Sequence, residues 1–211
     1  MYVPPLFKQE DVTVLHDAMR RCGIATLVTV GTAGMEASHV PVLIDPEPAP
    51  FGTLRGHLAR GNPQWQRAAA DTDALAIFLG PNAYVSPSWY AAKRETGKVV
   101  PTWNYVAIHA YGRPRFYDDV TRLRAHVSSL TARHEAARAA PWAVTDAPED
   151  FIQGLLKGIV GFEIPISRLE GKWKMSQNRP AKDRAGVVEG LRREGGSPEV
   201  ADIVAALDQG S

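Results

Sequence analysis

Residues 24–30, IATLVTV, and 35–44, MEASHVPVLI, joined by GTAG at 31–34, decide how this chain is read. The first run is dense in β-branched residues and reads as a buried strand. GTAG is turn chemistry, and the second run returns beside the first, so the two form a hairpin. Upstream, DVTVLHDAMRR (11–21) places Val12, Leu15 and Met19 on one face of a short amphipathic helix. Downstream, DPEPAP (45–50) has three prolines and must be a loop. FGTLRGHLA (51–59) reads as a third strand. Asn62-Pro63 opens a helix through QWQRAAA, because Asn caps and Pro tolerates the first helical position. ALAIFLG (74–80) is another buried strand.

Residues 81–101 read as irregular, since Pro81, Pro87, Gly97 and Pro101 interrupt any long element. TWNYVAIHAYGRPRFY (102–117) is β-like again. DVTRLRAHVSSLTARHEA (119–136) is the longest helical pattern, and PEDFIQGLLKG (148–158) is a shorter one. IVGFEIPISRLEG (159–171) alternates as the last strand, and two short helices close the chain. The mostly sequential strands, with helices between and after them, predict a mainly β, α+β fold organised around an antiparallel barrel. Strands and helices do not alternate regularly, which excludes a doubly wound sheet.

A chain of 211 residues can bury a proper core without staples. Cys22 is the lone cysteine, so no internal disulfide forms, and a reducing, cytoplasmic setting is expected. The start, MYVPPLFKQED, lacks a basic segment followed by an apolar run, and no stretch has the roughly 18 apolar residues of a membrane span. A formal net charge of +1 does not suit a protein that coats nucleic acid. HExxH, CxxC, Walker A and GxGxxG patterns are all missing, which removes the standard zinc, redox-thiol, P-loop and Rossmann readings. His126 and His134 share a helix face but stand two turns apart, too far to clamp one metal, so no metal site is expected.

Three segments offer chemistry. GHLARGNPQW (56–65) joins His57 and Arg60 to a helix start at Asn62, an arrangement that suits a phosphate and equally a capped helix with a solvated arginine. PNAYVSPSWY (81–90) and VVPTWNY (99–105) gather Trp89, Tyr90, Trp103 and Tyr105 with Ser86, Ser88, Thr102 and Asn104. Such aromatics stack on a planar ligand, or fill a core or subunit interface. KWKMSQNRP (172–180) offers Lys174, Ser176, Gln177 and Asn178, and residues 172–194 carry seven Lys/Arg against three Asp/Glu. A charge excess of that size is usually a solvated face.

Taken in order, MYVPPLF, GHLARGNPQW, FLGPNAYVSPSWY, VPTWNYVAIHAYG and KMSQN resemble the PaiB family of FMN-binding negative transcriptional regulators, from Met1 to about Asn178. The resemblance implies an FMN-binding split β-barrel at 1–178, with a helical extension at 179–211 packed on it. It also implies a homodimer with FMN at the subunit interface. By motif position His57, Arg60 and Asn62 then face the flavin phosphate, while Thr26, Val28 and Ser38 lie near the ring or ribityl chain. Trp89, Thr102, Trp103 and Asn104 form the facing wall, and Lys174, Ser176 and Gln177 approach from the C-terminal side. A flavin-dependent oxidoreductase is the alternative, followed by a cofactor-free or haem-binding barrel. The family's regulatory label raises DNA as a partner, yet the chain carries no helix-turn-helix signature with a basic recognition helix.

Overall fold

The structure is a computed structural model, and it describes residues 1–194 and 196–207. A two-residue strand, β1 (Lys8–Gln9), precedes α1 (Val12–Cys22). The Asp11 carboxylate accepts from the backbone N–H of Thr13 at 2.8 Å and of Val14 at 3.2 Å, which starts α1 where the periodicity does. The hairpin follows as β2 (Ile24–Gly31) and β3 (Gly34–Asp45), then β4 (Thr53–Ala59) and a single helical turn, α2 (Gln64–Arg67). After these come β5 (Ala74–Val85), α3 (Ala92–Thr96), β6 (Thr102–Gly112), β7 (Arg115–Tyr117), α4 (Val120–Glu135) and α5 (Glu149–Leu156). The chain continues through β8 (Ile159–Pro165), β9 (Arg168–Lys174), α6 (Ala181–Arg193) and α7 (Pro198–Ala206).

The fold is mainly β with α+β organisation, as expected, and the hairpin, α1, α4, α5 and the tail helices stand where the sequence places them. Three readings are corrected. The segment 81–101 is not irregular throughout: β5 continues through Pro81 to Val85, a 3-10 turn covers Pro87–Trp89, and α3 follows. The alternating stretch 159–171 is not one strand. It breaks at Ile166 and Ser167, whose N–H groups bond to Gly52 O and Tyr111 O, so β8 and β9 are separate. The helix expected through 64–70 stops after Arg67, because Ala69 N–H turns to Val30 O.

The chain divides into two compact units. The first comprises Met1–Ala18, Leu79–His109 and Glu170–Ser211; the second comprises Met19–Phe78 and Ala110–Leu169. In the first the strand order is β1-β9-β6-β5. Its core joins Val85, Tyr90, Val106 and Met175 to Val187 and Leu191 of α6 and to Val200, Ala201 and Val204 of α7. The tail helices are therefore part of this core. Gly190 has a specific reason to be glycine: a Cβ there would lie 2.3 Å from the Trp89 ring.

In the second unit the order is β5-β2-β3-β4-β8-β7, and the described strands end at the free edges β1 and β7 without closing. Pairing of Gly56 with Val42 and Phe162 puts them on one face with Leu54, Leu58 and Ile164, all buried. The opposite face of β4 carries Arg55 and His57 and lies with Leu43, Gly161 and Glu163. Helices α4 and α5 share a smaller core of Leu123, Val144, Ile152 and Leu156.

Candidate functional site

The second unit holds the expected phosphate and ring residues, divided by strand register. Thr26 pairs with His39, and Val28 with Ala37, so these four share the half-open face of the hairpin. Thr26 Oγ1 lies 3.0 Å from His39 Nδ1. Ser38 pairs with Leu27 and so stands on the other face, where its Oγ accepts from Asn62 Nδ2 at 2.9 Å. Asn62 Oδ1 in turn accepts from Gln64 N at 3.0 Å. Behind it the buried Gln64 amide bridges Leu27 O, Thr29 Oγ1 and Glu36 O, each 3.1 Å from its Nε2. The result is a rigid polar corner from β2 to α2.

Arg60 is less free than its sequence position suggests. Its Nε donates to Lys157 O at 2.8 Å and Nη2 to Ile159 O at 3.2 Å, satisfying carbonyls where α5 gives way to β8. Only Nη1 remains loosely held, 3.5 Å from the exposed Asp118 carboxylate. His57 Nδ1 lies 3.1 Å from His126 Nε2, a pairing across 69 residues. Burial lowers the pKa of His57. His126 falls from 6.5 to about 4, first through burial, then through repulsion by His57 and by the Arg55 cation. Both imidazoles are neutral at pH 7.

In the first unit Lys174 Nζ donates to Thr102 Oγ1 and, at 2.8 Å, to Trp103 O. Burial pulls this ammonium below the ordinary lysine pKa. Trp103 is 52% exposed and meets Tyr84 edge-on at 6.0 Å between ring centroids. These groups form an open aromatic and cationic surface. The other expected residues do not. Asn104 and Ser176 are buried and bond to each other in both directions, at 3.0 and 3.1 Å. Gln177 holds its own loop, accepting from Met175 N at 2.7 Å and donating to Trp173 O. Trp89 packs on Gly190 and donates from Nε1 to Glu194 at 3.0 Å. These four therefore hold the C-terminal loop and helices on the strands.

The basic residues are largely spoken for. On α4, Arg122 pairs with Glu163, Arg124 with Glu149, and Arg133 donates to Arg20 O. In the tail, Lys182 pairs with Glu95, Arg192 with Asp202, and Arg193 with Glu189 and Glu194. Phosphate contacts on DNA need uncommitted cations. Among the described residues no group of three His, Cys, Asp or Glu side chains is arranged for a metal.

The family described as "Putative FMN-binding domain" matches residues 1–168, which include β1 to β8 and the whole polar corner at Asn62. The chain belongs to this family. The family's PaiB character is carried by the "Protease synthase and sporulation protein PAI 2" of Bacillus subtilis, 32% identical over 92% of this chain and 90% of that protein. An uncharacterised protein of Emericella nidulans is 35% identical over 92% of each chain. Among solved structures, the FAD and haem binding protein of Mycobacterium smegmatis shares the fold, with a TM-score of 0.57 and 17% identity over 84% of this chain and 78% of that one.

Sequence reading missed His39, Gln64, Tyr84 and His126 as parts of these constellations. Alternation along β3 places His39 beside Thr26 once the hairpin register is set. Nothing local could have joined His126 to His57.

Proposed function

We propose that this chain binds FMN as a homodimer of the split-barrel type and acts as a PaiB-type regulator. The observation that carries the reading is the family match over residues 1–168, with chemistry suited to flavin present in each unit. FMN requires a cation and donors for its phosphate, polar groups for the ring edge, and a flat apolar surface. Arg60 Nη1 and Asn62 answer the first need in one unit. In the other, Lys174 and Thr102 offer a cation and a hydroxyl beside the exposed Trp103 ring. When bound, flavin supplies redox chemistry, and the protein's part is to hold and orient it. Asn104, Ser176, Gln177 and Trp89 serve that end as supports for the surface around Lys174.

Exposed apolar residues support the dimer. Ile24, Val30 and Met35 lie exposed on the hairpin of one unit, and Leu79, Tyr84 and Trp103 on the other unit. An isologous contact is the usual way to cover such residues. No helix among the described residues is long and apolar enough to cross a membrane, and lone Cys22 fits the reducing cytoplasm. Because the α4 and tail arginines are paired internally, regulation through a flavin-dependent protein contact fits better than direct DNA binding.

Flavin-fluorescence titration of the wild type and of Lys174→Met and Trp103→Leu tests this reading. Saturable quenching that both substitutions weaken supports it. Equal binding by all three removes Lys174 and Trp103 from the site, and no binding by the wild type removes flavin.

A further inference from the structure

The end of α1 and the end of α4 meet beside the start of the hairpin. Gly23 closes α1 in the left-handed conformation, at φ 69°, and its N–H bonds back to Met19 O at 3.2 Å. Gly23 O then accepts from Val42 N at 3.1 Å, which holds the last turn of α1 beside Pro41 on β3. From α4, Arg133 Nη2 donates to Arg20 O at 2.9 Å. These contacts frame an open cavity of about 540 Å³, a size within the range of small-molecule sites. Arg20, Arg21, Arg133 and His134 line it, and Ile24 and Pro41, paired across β2 and β3, give it an apolar side.

Among the described residues no carboxylate lines this cavity. Arg21, Arg133 and His134 are exposed, so their N–H groups are open to a ligand. Neither Arg21 nor Arg133 has an ion pair among the described residues. Glu135, next to His134, is turned to Arg138 Nε and Trp142 N, at 2.9 and 3.1 Å. Part of the positive charge serves the helices themselves. Basic side chains in the last turn offset the helix dipole, and both helices carry them. Each helix C-terminus is worth only about half a negative charge. The two dipoles, with Asp17 three residues before Arg20, balance two of the three guanidiniums. About one full positive charge is left over at the opening.

We propose that this cavity binds an organic phosphate, a monoester, at a site separate from the flavin. A tetrahedral phosphate presents oxygens on several sides, and here guanidiniums reach it from two helices. A carboxylate, with both oxygens in one plane, makes less use of that arrangement. The organic part of the ester lies against Ile24 and Pro41. None of the groups assigned above to the flavin, Arg60, Asn62, Thr102, Trp103 and Lys174, lines this cavity, so the proposal stands whether or not FMN binds.

The test titrates the whole protein with phenyl phosphate at about pH 7.5, where a phosphate ester carries nearly two charges, in the presence and absence of excess FMN. Chloride holds the ionic strength constant. The cavity shares Ile24 with the proposed dimer contact, so the protein is kept at a concentration that preserves its native assembly. The readout is the Gly23 amide and His134 imidazole resonances. A saturable shift is expected with or without FMN, with a midpoint on the order of millimolar, as suits so small a ligand. Inorganic phosphate should bind more weakly, because it has nothing to place against Ile24 and Pro41. Arg21→Gln should raise the midpoint about fivefold. Arg94→Gln, which removes the same charge from α3, should leave it unchanged. Lack of saturation in the wild type would mean that the cations serve the helix ends alone, and overturns the proposal. Equal effects of the two substitutions overturn it as well, since net charge would then account for the binding. A shift that excess FMN abolishes does the same, because the phenyl phosphate would sit in the flavin's place. Equal midpoints for the two phosphates would overturn the assignment to an organic phosphate.

Discussion

Acidification below about pH 6.5 should destabilise this protein through the His57–His126 pair. The perturbation is a pH series from 7.5 to 3.5 on the wild type and on His126→Leu. In the folded chain His126 takes up a proton only near pH 4, because burial, His57 and the Arg55 cation all disfavour the imidazolium. In the unfolded chain it does so near pH 6.5. The folded pKa is lowered, so the unfolded state binds more protons throughout that window, and stability falls as pH falls. The contribution is fully present above about pH 6.5, declines toward pH 4 and changes no further below it. A shift of that size is worth about 3 kcal/mol as an upper figure. His57, also lowered by burial, adds in the same direction. Urea unfolding at each pH, at one fixed protein concentration, reads the effect. His126→Leu loses stability at pH 7 but should have a flatter pH profile, so the gap between the two proteins narrows as pH falls to 4. Parallel profiles for the two proteins would refute the reasoning.

Other outcomes follow from single contacts. Gly190→Ala puts a methyl group 2.3 Å from the Trp89 ring, so it should cost about 1–3 kcal/mol and shift tryptophan emission during urea unfolding. Asn104→Ala leaves the buried Ser176 hydroxyl without its partner and should cost about 1–3 kcal/mol by the same assay. Arg60→Ala frees Lys157 O and Ile159 O, so it should lower stability as well as flavin affinity. A loss of affinity with no loss of stability would assign Arg60 to the phosphate alone. Light scattering on the wild type should give twice the chain mass, and Met35→Glu, on the exposed hairpin, should shift it toward one.

Local pattern made much of this fold legible. The β-branched run at 24–30, the GTAG turn and the returning run at 35–44 gave the hairpin, while the face shared by Thr26 and Val28 follows from the register of the two strands. What stayed hidden was settled by distant parts of the chain. Pro81 reads as a breaker, yet β5 runs through it to the buried Ala83 and Val85; their alternation was the overlooked signal. The break between β8 and β9 depends on Gly52 O and Tyr111 O, which no window around 166 contains. The candidate site was legible in composition more than in role. Trp103, Thr102 and Lys174 do come together at an open surface, whereas Asn104 and Ser176 carry the same polar chemistry inward. Residue type alone cannot tell a ligand contact from a buried clip when the partner lies 72 residues away. The two-histidine pair escaped for the same reason.

The most direct test of the central claim is the stoichiometry of FMN on the purified protein, read by quenching of flavin emission at chain concentrations well above the dissociation constant. A sharp end point at one FMN per chain is expected. Emission that follows free FMN across the whole titration would contradict it.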